Sequence, residues 1–252
     1  MAQAQEDPYL WLEDVTGDKS MAWVKEQNAL TQPRLESTPE YRELYARLLG
    51  IHTSRDRIPS VTKRGDYLYN FWQDAASPRG LLRRTTLAEF RKKDPAWETV
   101  LDITRLSEDE GRKWVYKEST CLYPDYRRCI ISLSRGGADA VELREFDMVE
   151  KRFVKDGFLA PESKGGIAWR DADTLYVSRD FGPGTMSTSG YPLQVREWKR
   201  GTPLAQAKLM YEAKETDIGA YPTVVNEPGR KYEIVSRALT MKETEELIRR
   251  GE

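Results

Sequence analysis

Apolar residues along this chain are spaced in two different ways, with the change near residue 55. Before it the period is helical. Asp18 precedes a run through Trp23 and Val24 to about Leu30, which predicts a first helix capped by the Asp18 side chain and limited by Pro33. A second helix is more sharply drawn: Thr38 as N-cap, Pro39 at the first helical position, Tyr41, Leu44, Tyr45 and Leu48 at i, i+3, i+4 and i+7, and Gly50 as the stop. Ahead of both, Tyr9-Leu10-Trp11-Leu12 packs four large apolar side chains behind Pro8. Proline fixes its own φ and keeps Asp7 extended, so the chain is expected to enter straight and to lay this run on another surface.

From Ile58 onward the period is 2, with short β-branched and aromatic runs between Gly, Pro, Asp and Asn turns. One cycle holds Tyr67 to Trp72, the turn Ser77-Pro78-Arg79-Gly80, Leu81 to Leu87 and Trp97 to Ile103. Another holds Lys113 to Tyr116, Cys129 to Leu133, the turn Arg135-Gly136-Gly137, Val141 to Phe146 and Phe153. The third holds Ile167 to Trp169, Leu175 to Val177, Val195 to Trp198 and Leu209 to Tyr211. Arg84, Arg144 and Arg196 occupy comparable third-strand positions, 60 and then 52 residues apart. Recurrence of this kind fits four-stranded units stacked side by side, because one such sheet cannot bury both its faces alone. On periodicity alone a long-looped β-sandwich is the competing arrangement. The last stretch is ambiguous: Thr240-Met241-Lys242-Glu243 is a capping-box pattern, and Leu247, Ile248 and Gly251 would complete a short helix where a further stacked sheet would place a paired strand. Without later partners to enforce a strand, helix is the expectation.

The run Asp7-Pro8-Tyr9-Leu10-Trp11-Leu12-Glu13-Asp14, followed by Trp23, Val24, Gln27 and Asn28, resembles the N-terminal segment of the prolyl oligopeptidase family of serine peptidases. Leu68-Tyr69-Asn70-Phe71-Trp72-Gln73-Asp74, Pro78-Arg79-Gly80 and Asp180-Phe181-Gly182-Pro183-Gly184 are also similar to bacterial members. The resemblance implies a mainly β fold: a helical arm over residues 1–55, then three to four blades of an incomplete β-propeller over 56–252. It implies seven blades in the whole enzyme, a C-terminal α/β-hydrolase domain against which the arm lies, and short peptides, usually cut after proline, as substrates. That domain is not within this chain. At roughly 40 to 50 residues per blade, the region after the arm supplies about four blades, so the chain is expected to be a fragment covering the first third or so of such an enzyme.

Catalytic chemistry points the same way. A hydrolase of this type needs a Gly-x-Ser-x-Gly elbow and a triad in the order Ser, Asp, His. The only histidine, His52, precedes nearly all candidate serines. Ser134, Ser187 and Ser189 lie beside glycines but lack the upstream glycine, and read as turn residues. No catalytic, cofactor-binding or metal-binding residue is therefore assigned. The parent is expected to be a serine endopeptidase whose propeller gates access of short peptides, and this chain alone is expected to be inactive. The alternative is a non-catalytic β-domain that binds peptide or protein through the loop 182–190 and Tyr191-Pro192.

Composition narrows the partners. Forty basic groups against 41 acidic ones argue against nucleic acid. The basic cluster Arg79, Arg83, Arg84, Arg91, Lys92 and Lys93 reads as a solvated strand face. No run of about 18 apolar residues would span a membrane. A cytoplasmic location is expected, or a periplasmic one if Met1–Gln5 replaces a removed signal peptide. Cys121 and Cys129 are spaced to allow a disulfide, although two thiols in a chain of this size more often stay reduced. One histidine and two cysteines make no zinc site, and no cofactor is expected.

Overall fold

The computed structural model describes residues 7–54, 56 and 58–249. Two compact units divide the chain between Arg57 and Ile58.

In the first unit the apolar run does not enter straight. The Asp7 carboxylate accepts from the Tyr9 amide at 2.8 Å, a local turn that bends the chain into a 3-10 segment at Leu10–Glu13. Helix α1 spans Asp18–Glu36 with Gly17 as its N-cap, so Asp18 lies in the first turn, favoured there by the helix dipole, and does not cap. Pro33 does not limit the helix: its fixed φ is helical, and it removes only one backbone donor. Helix α2, Pro39–Thr53, starts as expected, with Thr38 Oγ1 accepting from the Tyr41 amide at 3.2 Å. It runs past Gly50, whose penalty of about 1 kcal/mol is too small to end a helix that Thr53 closes by bonding back to the Leu49 carbonyl. The stripe Tyr41, Leu44, Tyr45 and Leu48 is exposed. Trp11 packs edge-on to Trp23 at 6.3 Å, with Lys19 over its ring and Ser20 bonded to its carbonyl. Because that contact is half-open, Trp11→Ala should cost about 1 kcal/mol in thermal denaturation. A loss of about 3–5 kcal/mol would mean that the arm is already fully buried.

The second unit is a four-blade β-propeller arrangement. The first blade is the meander β1 (Thr62–Arg64), β2 (Tyr67–Trp72), β3 (Leu81–Thr86) and β4 (Glu98–Asp102), with short helices α3 (Leu87–Phe90) and α4 (Ile103–Asp109) in its connections. The second is β5 (Trp114–Cys121), β6 (Arg128–Arg135), β7 (Val141–Asp147) and β8 (Arg152–Phe153); β9 (Leu159–Ser163) pairs further along β7, so β8 and β9 share the fourth place. β10 (Gly166–Asp171), β11 (Thr174–Ser178), β12 (Gln194–Lys199) and β13 (Lys208–Glu212) form the third, and β14 (Gly219–Glu227), β15 (Arg230–Ala238) and β16 (Thr244–Ile248) the fourth.

Alternation along the strands explains why the sheets stack. On β6, Cys129, Ile131 and Leu133 join Leu82, Leu101 and Trp114 in the core between the first two blades, while Ile130 turns to Trp169, Leu175 and Trp198 in the next. On β11, Leu175 and Val177 face back to the second blade, and Tyr176 faces forward to Val195 and Ala220. β6 and β11 thus put apolar side chains into the cores on both of their faces, which a two-layer sandwich does not require. Arg84, Arg144 and Arg196 all fall on third strands. Gly165 lets one crossing be close, since a Cβ there would lie 1.8 Å from the Ser178 carbonyl oxygen.

Four local expectations are corrected. Residues 244–248 are strand, not helix: β15 supplies the partner within the chain, with Ala238 opposite Thr244, and Arg237 bonds Glu245. Thr240 Oγ1 accepts from the amides of Lys242 and Glu243, so the capping pattern serves a tight turn; Gly251 lies outside the described residues. Cys121 and Cys129 form a disulfide, because antiparallel pairing sets them directly opposite each other. Ser134 is a fully buried strand residue of β6 rather than a turn residue. The basic cluster is not uniformly solvated: Arg84 is buried against Glu98 and the Tyr67 ring, and Arg83 lies between the rings of Trp72 and Trp97, each 4.2 Å away.

Polar clasps join blade to blade. Arg64 donates to Ser119 Oγ and O at 2.8 Å, Arg84 to the Met148 carbonyl at 2.9 Å, and Trp169 Nε1 to the Thr120 carbonyl at 2.9 Å. Arg200 binds the buried Glu145 carboxylate through both terminal nitrogens, at 2.7 and 3.0 Å, and Tyr176 donates to Glu233 at 2.7 Å.

Candidate functional site

A meander places its turns alternately on two faces. The chain reaches β1 on the face that also carries every link between blades; this link face holds segments 73–80, 136–140, 179–193 and 239–243. Turns 65–66, 122–127, 148–151, 172–173 and 228–229 form the opposite, turn face. The first strands of consecutive blades are neighbours, β5 beside β10 and β10 beside β14, so they line the inner wall. On that wall Tyr116 donates to Ser119 Oγ at 2.9 Å, and burial pushes the Tyr116 hydroxyl up and the Arg64 guanidinium down. A cavity of about 200 Å³ opens between Thr120, Tyr123, Ile167, Trp169, Pro222 and Asn226.

The most elaborate element of the link face is the loop 179–193. The Asp180 carboxylate accepts from the Gly182 amide at 2.8 Å, and Thr185 Oγ1 accepts from Phe181 N at 2.9 Å and donates to the Gly182 carbonyl at 2.7 Å. Ser187 and Tyr191 exchange backbone and side-chain bonds, and Met186 bridges to Pro192, so the tip is a self-bonded hairpin. Lys164 sits 4.5 Å from the Tyr191 ring and Arg196 4.1 Å from the Phe181 ring. At its base Arg179 is 1 % exposed; one terminal nitrogen donates to the carbonyls of Val141 and Pro161, and Nε and the other terminal nitrogen have no protein partner. Burial lowers its pKa to about 10, which leaves it charged at neutral pH.

The serines and histidine weighed from the sequence do not converge. His52 lies in the last turn of α2, in the first unit, and is exposed. Ser134 Oγ is buried in β6 without a hydrogen-bond partner, and Ser187 and Ser189 lie in the loop tip. Sequence reasoning missed the clasps of Arg64, Arg179 and Arg200; their one signal is a basic residue at or just past a strand end.

The family model described as "Prolyl oligopeptidase, N-terminal beta-propeller domain" matches residues 2–246. The chain belongs to the prolyl oligopeptidase family. An uncharacterized peptidase of Sinorhizobium fredii is 40% identical over 227 residues, covering 90% of this chain and 31% of that protein. A prolyl endopeptidase of Elizabethkingia meningoseptica is 28% identical over 240 residues, 92% of this chain and 32% of that protein. Among solved structures, a post-proline cleaving enzyme from Rickettsia typhi superposes with a TM-score of 0.80 at 26% identity, over 94% of this chain and 38% of that one. The chain thus spans about a third of the length of its prolyl oligopeptidase relatives. No helix among the described residues is long and apolar enough to cross a membrane.

Several carboxylates of this propeller domain are held below their ordinary range. Arg237 does so for Asp217, Arg84 for Glu98 and Arg144 for Glu110. A depressed folded pKa contributes stability that is present above the unfolded value and is lost as pH falls through the folded one. The melting temperature should therefore be flat from pH 7 to about 5 and fall steeply below about 4. Asp217→Asn should reduce that acid-sensitive fall, and an unchanged profile in this variant would remove Asp217 from the account.

Proposed function

We propose that this chain is the access-controlling part of a serine endopeptidase acting on short peptides, with an α/β-hydrolase domain as its partner. Under this reading the propeller contributes no catalytic group. It restricts entry by steric exclusion, and specificity for the cleaved residue lies in the hydrolase domain. The loop 179–193 carries the reading, because it stands on the link face of the propeller unit and bonds to itself through Asp180, Thr185 and Ser187. The exposed apolar stripe of α2, with Tyr9 and Leu10, supplies the surface for the arm to dock on the hydrolase domain.

Two measurements test this. The isolated chain should hydrolyse no fluorogenic proline peptide and take up no fluorophosphonate probe; stoichiometric labelling of any serine would overturn the assignment. A chimera carrying residues 2–246 in place of the matching segment of the Elizabethkingia meningoseptica prolyl endopeptidase should cut short proline peptides and spare long ones. Shortening the loop 182–190 in that chimera should admit longer peptides. Equal cleavage of all lengths before and after shortening would sink the gating role.

A further inference from the structure

The turn face of the second blade carries a cluster that the peptidase reading does not use. Pairing sets Arg128 on β6 opposite Asp147 on β7, and Asp147 opposite Arg152 on β8, so two arginines flank one carboxylate on the same side of the sheet. Arg127 joins them, its Nε 2.9 Å from Asp147 Oδ2, with Arg128 Nε 3.6 Å from the same oxygen. Asp147 is 4 % exposed and fully engaged, since its other oxygen accepts from the amides of Val149 and Glu150 at 2.9 Å. It therefore acts as a fixed anchor for guanidinium groups and has no capacity to neutralise more of them.

These groups surround a cavity of about 310 Å³, whose wall also includes Glu150 and Lys155. Four cations and two carboxylates line it, and Arg128 also lies 3.5 Å from Glu145, a carboxylate that Arg200 holds more closely, so the positive excess rests on Arg152 and Lys155. Among the described residues Glu150 pairs with Arg127 alone, at 3.7 Å. Arg152 and Lys155 have no carboxylate within ion-pair distance among the described residues, whereas the adjacent Lys151 is committed to Glu98 on the first blade. A concave site with planar donors held by a buried anchor and two uncommitted cations suits a compact dianion. We infer that this cavity binds a phosphate group, either free phosphate or the phosphate of a small ester. The site lies entirely within the second blade, on the face opposite the interblade links, so its occupancy is independent of the gating role and its failure would leave that role untouched.

The test is titration calorimetry of the whole chain with inorganic phosphate and, separately, a nucleoside monophosphate, with sodium chloride holding ionic strength constant. Saturable one-to-one binding of either is expected; the tighter ligand tells free phosphate from ester. Arg152→Gln combined with Lys155→Gln changes two exposed residues without ion pairs, so the fold should survive, and affinity should fall at least about tenfold. Lys208→Gln, an exposed change on β13, should leave it unaltered. Absence of saturable binding in the unaltered chain overturns the inference, as does equal affinity in the double variant with circular dichroism unchanged.

Discussion

Truncating Trp114 to alanine is expected to destabilise the chain by about 3–5 kcal/mol. This indole is 1 % exposed at the start of β5 and sits in the core shared by the first two blades with Leu82, Leu101, Ile103 and Phe146. Its Nε1 donates to Glu110 at 2.8 Å, its carbonyl accepts from Arg79 at 3.3 Å, and the Arg144 guanidinium lies 4.9 Å from its ring. The loss therefore combines a cavity with the release of Glu110 and Arg144 from one network. Urea denaturation followed by circular dichroism measures it, and Trp114→Phe should recover more than half. A loss below about 1.5 kcal/mol would show that the two blades repack around the gap.

Arg200→Met is expected to cost about 3 kcal/mol, because removing one member of a buried ion pair strands the other. The Glu145 side chain is 0 % exposed, and Arg128 alone would remain, 3.5 Å away. Glu145 faces the break between β8 and β9, where it accepts from the Phe158 amide at 2.9 Å, so the stranded charge would also loosen that irregular strand. Adding Glu145→Gln to Arg200→Met should restore part of the loss. If the double variant is no better than the single one, the cost lies in the stacking of the Arg200 guanidinium on the Phe158 ring, 4.6 Å away, and not in its pairing with Glu145.

Much of this architecture was legible because it is local. The strand runs, the glycine turns and the Thr38-Pro39 helix start are short-range choices, and the family resemblance fixed how the sheets assemble. What was illegible depended on partners distant in sequence. The Thr240–Glu243 pattern satisfies a helix cap and a turn equally, and only pairing with β15 decides between them. Cys121 and Cys129 are joined because β5 and β6 pair in one register and not another. Ser134, just ahead of Arg135-Gly136-Gly137, reads as a turn residue, yet the strand runs through Arg135 and the turn begins at Gly136. The candidate site was partly visible: the glycine-rich loop stood out, while the buried Arg179 at its base and the cation cluster around Asp147 emerge only once three strands lie side by side.

The meander has a consequence for synthesis. Every strand pairs with one adjacent in sequence, apart from the short step that brings β9 back to β7. A chain leaving the ribosome can thus complete each sheet before the next is made, at about 5–20 residues per second. The newest sheet then waits with one apolar face uncovered, and the following sheet covers it seconds later. Slow translation between residues 213 and 218, the link before β14, would prolong exposure of Tyr176 and Val195, and codon choice in that segment should govern how much of the nascent chain aggregates.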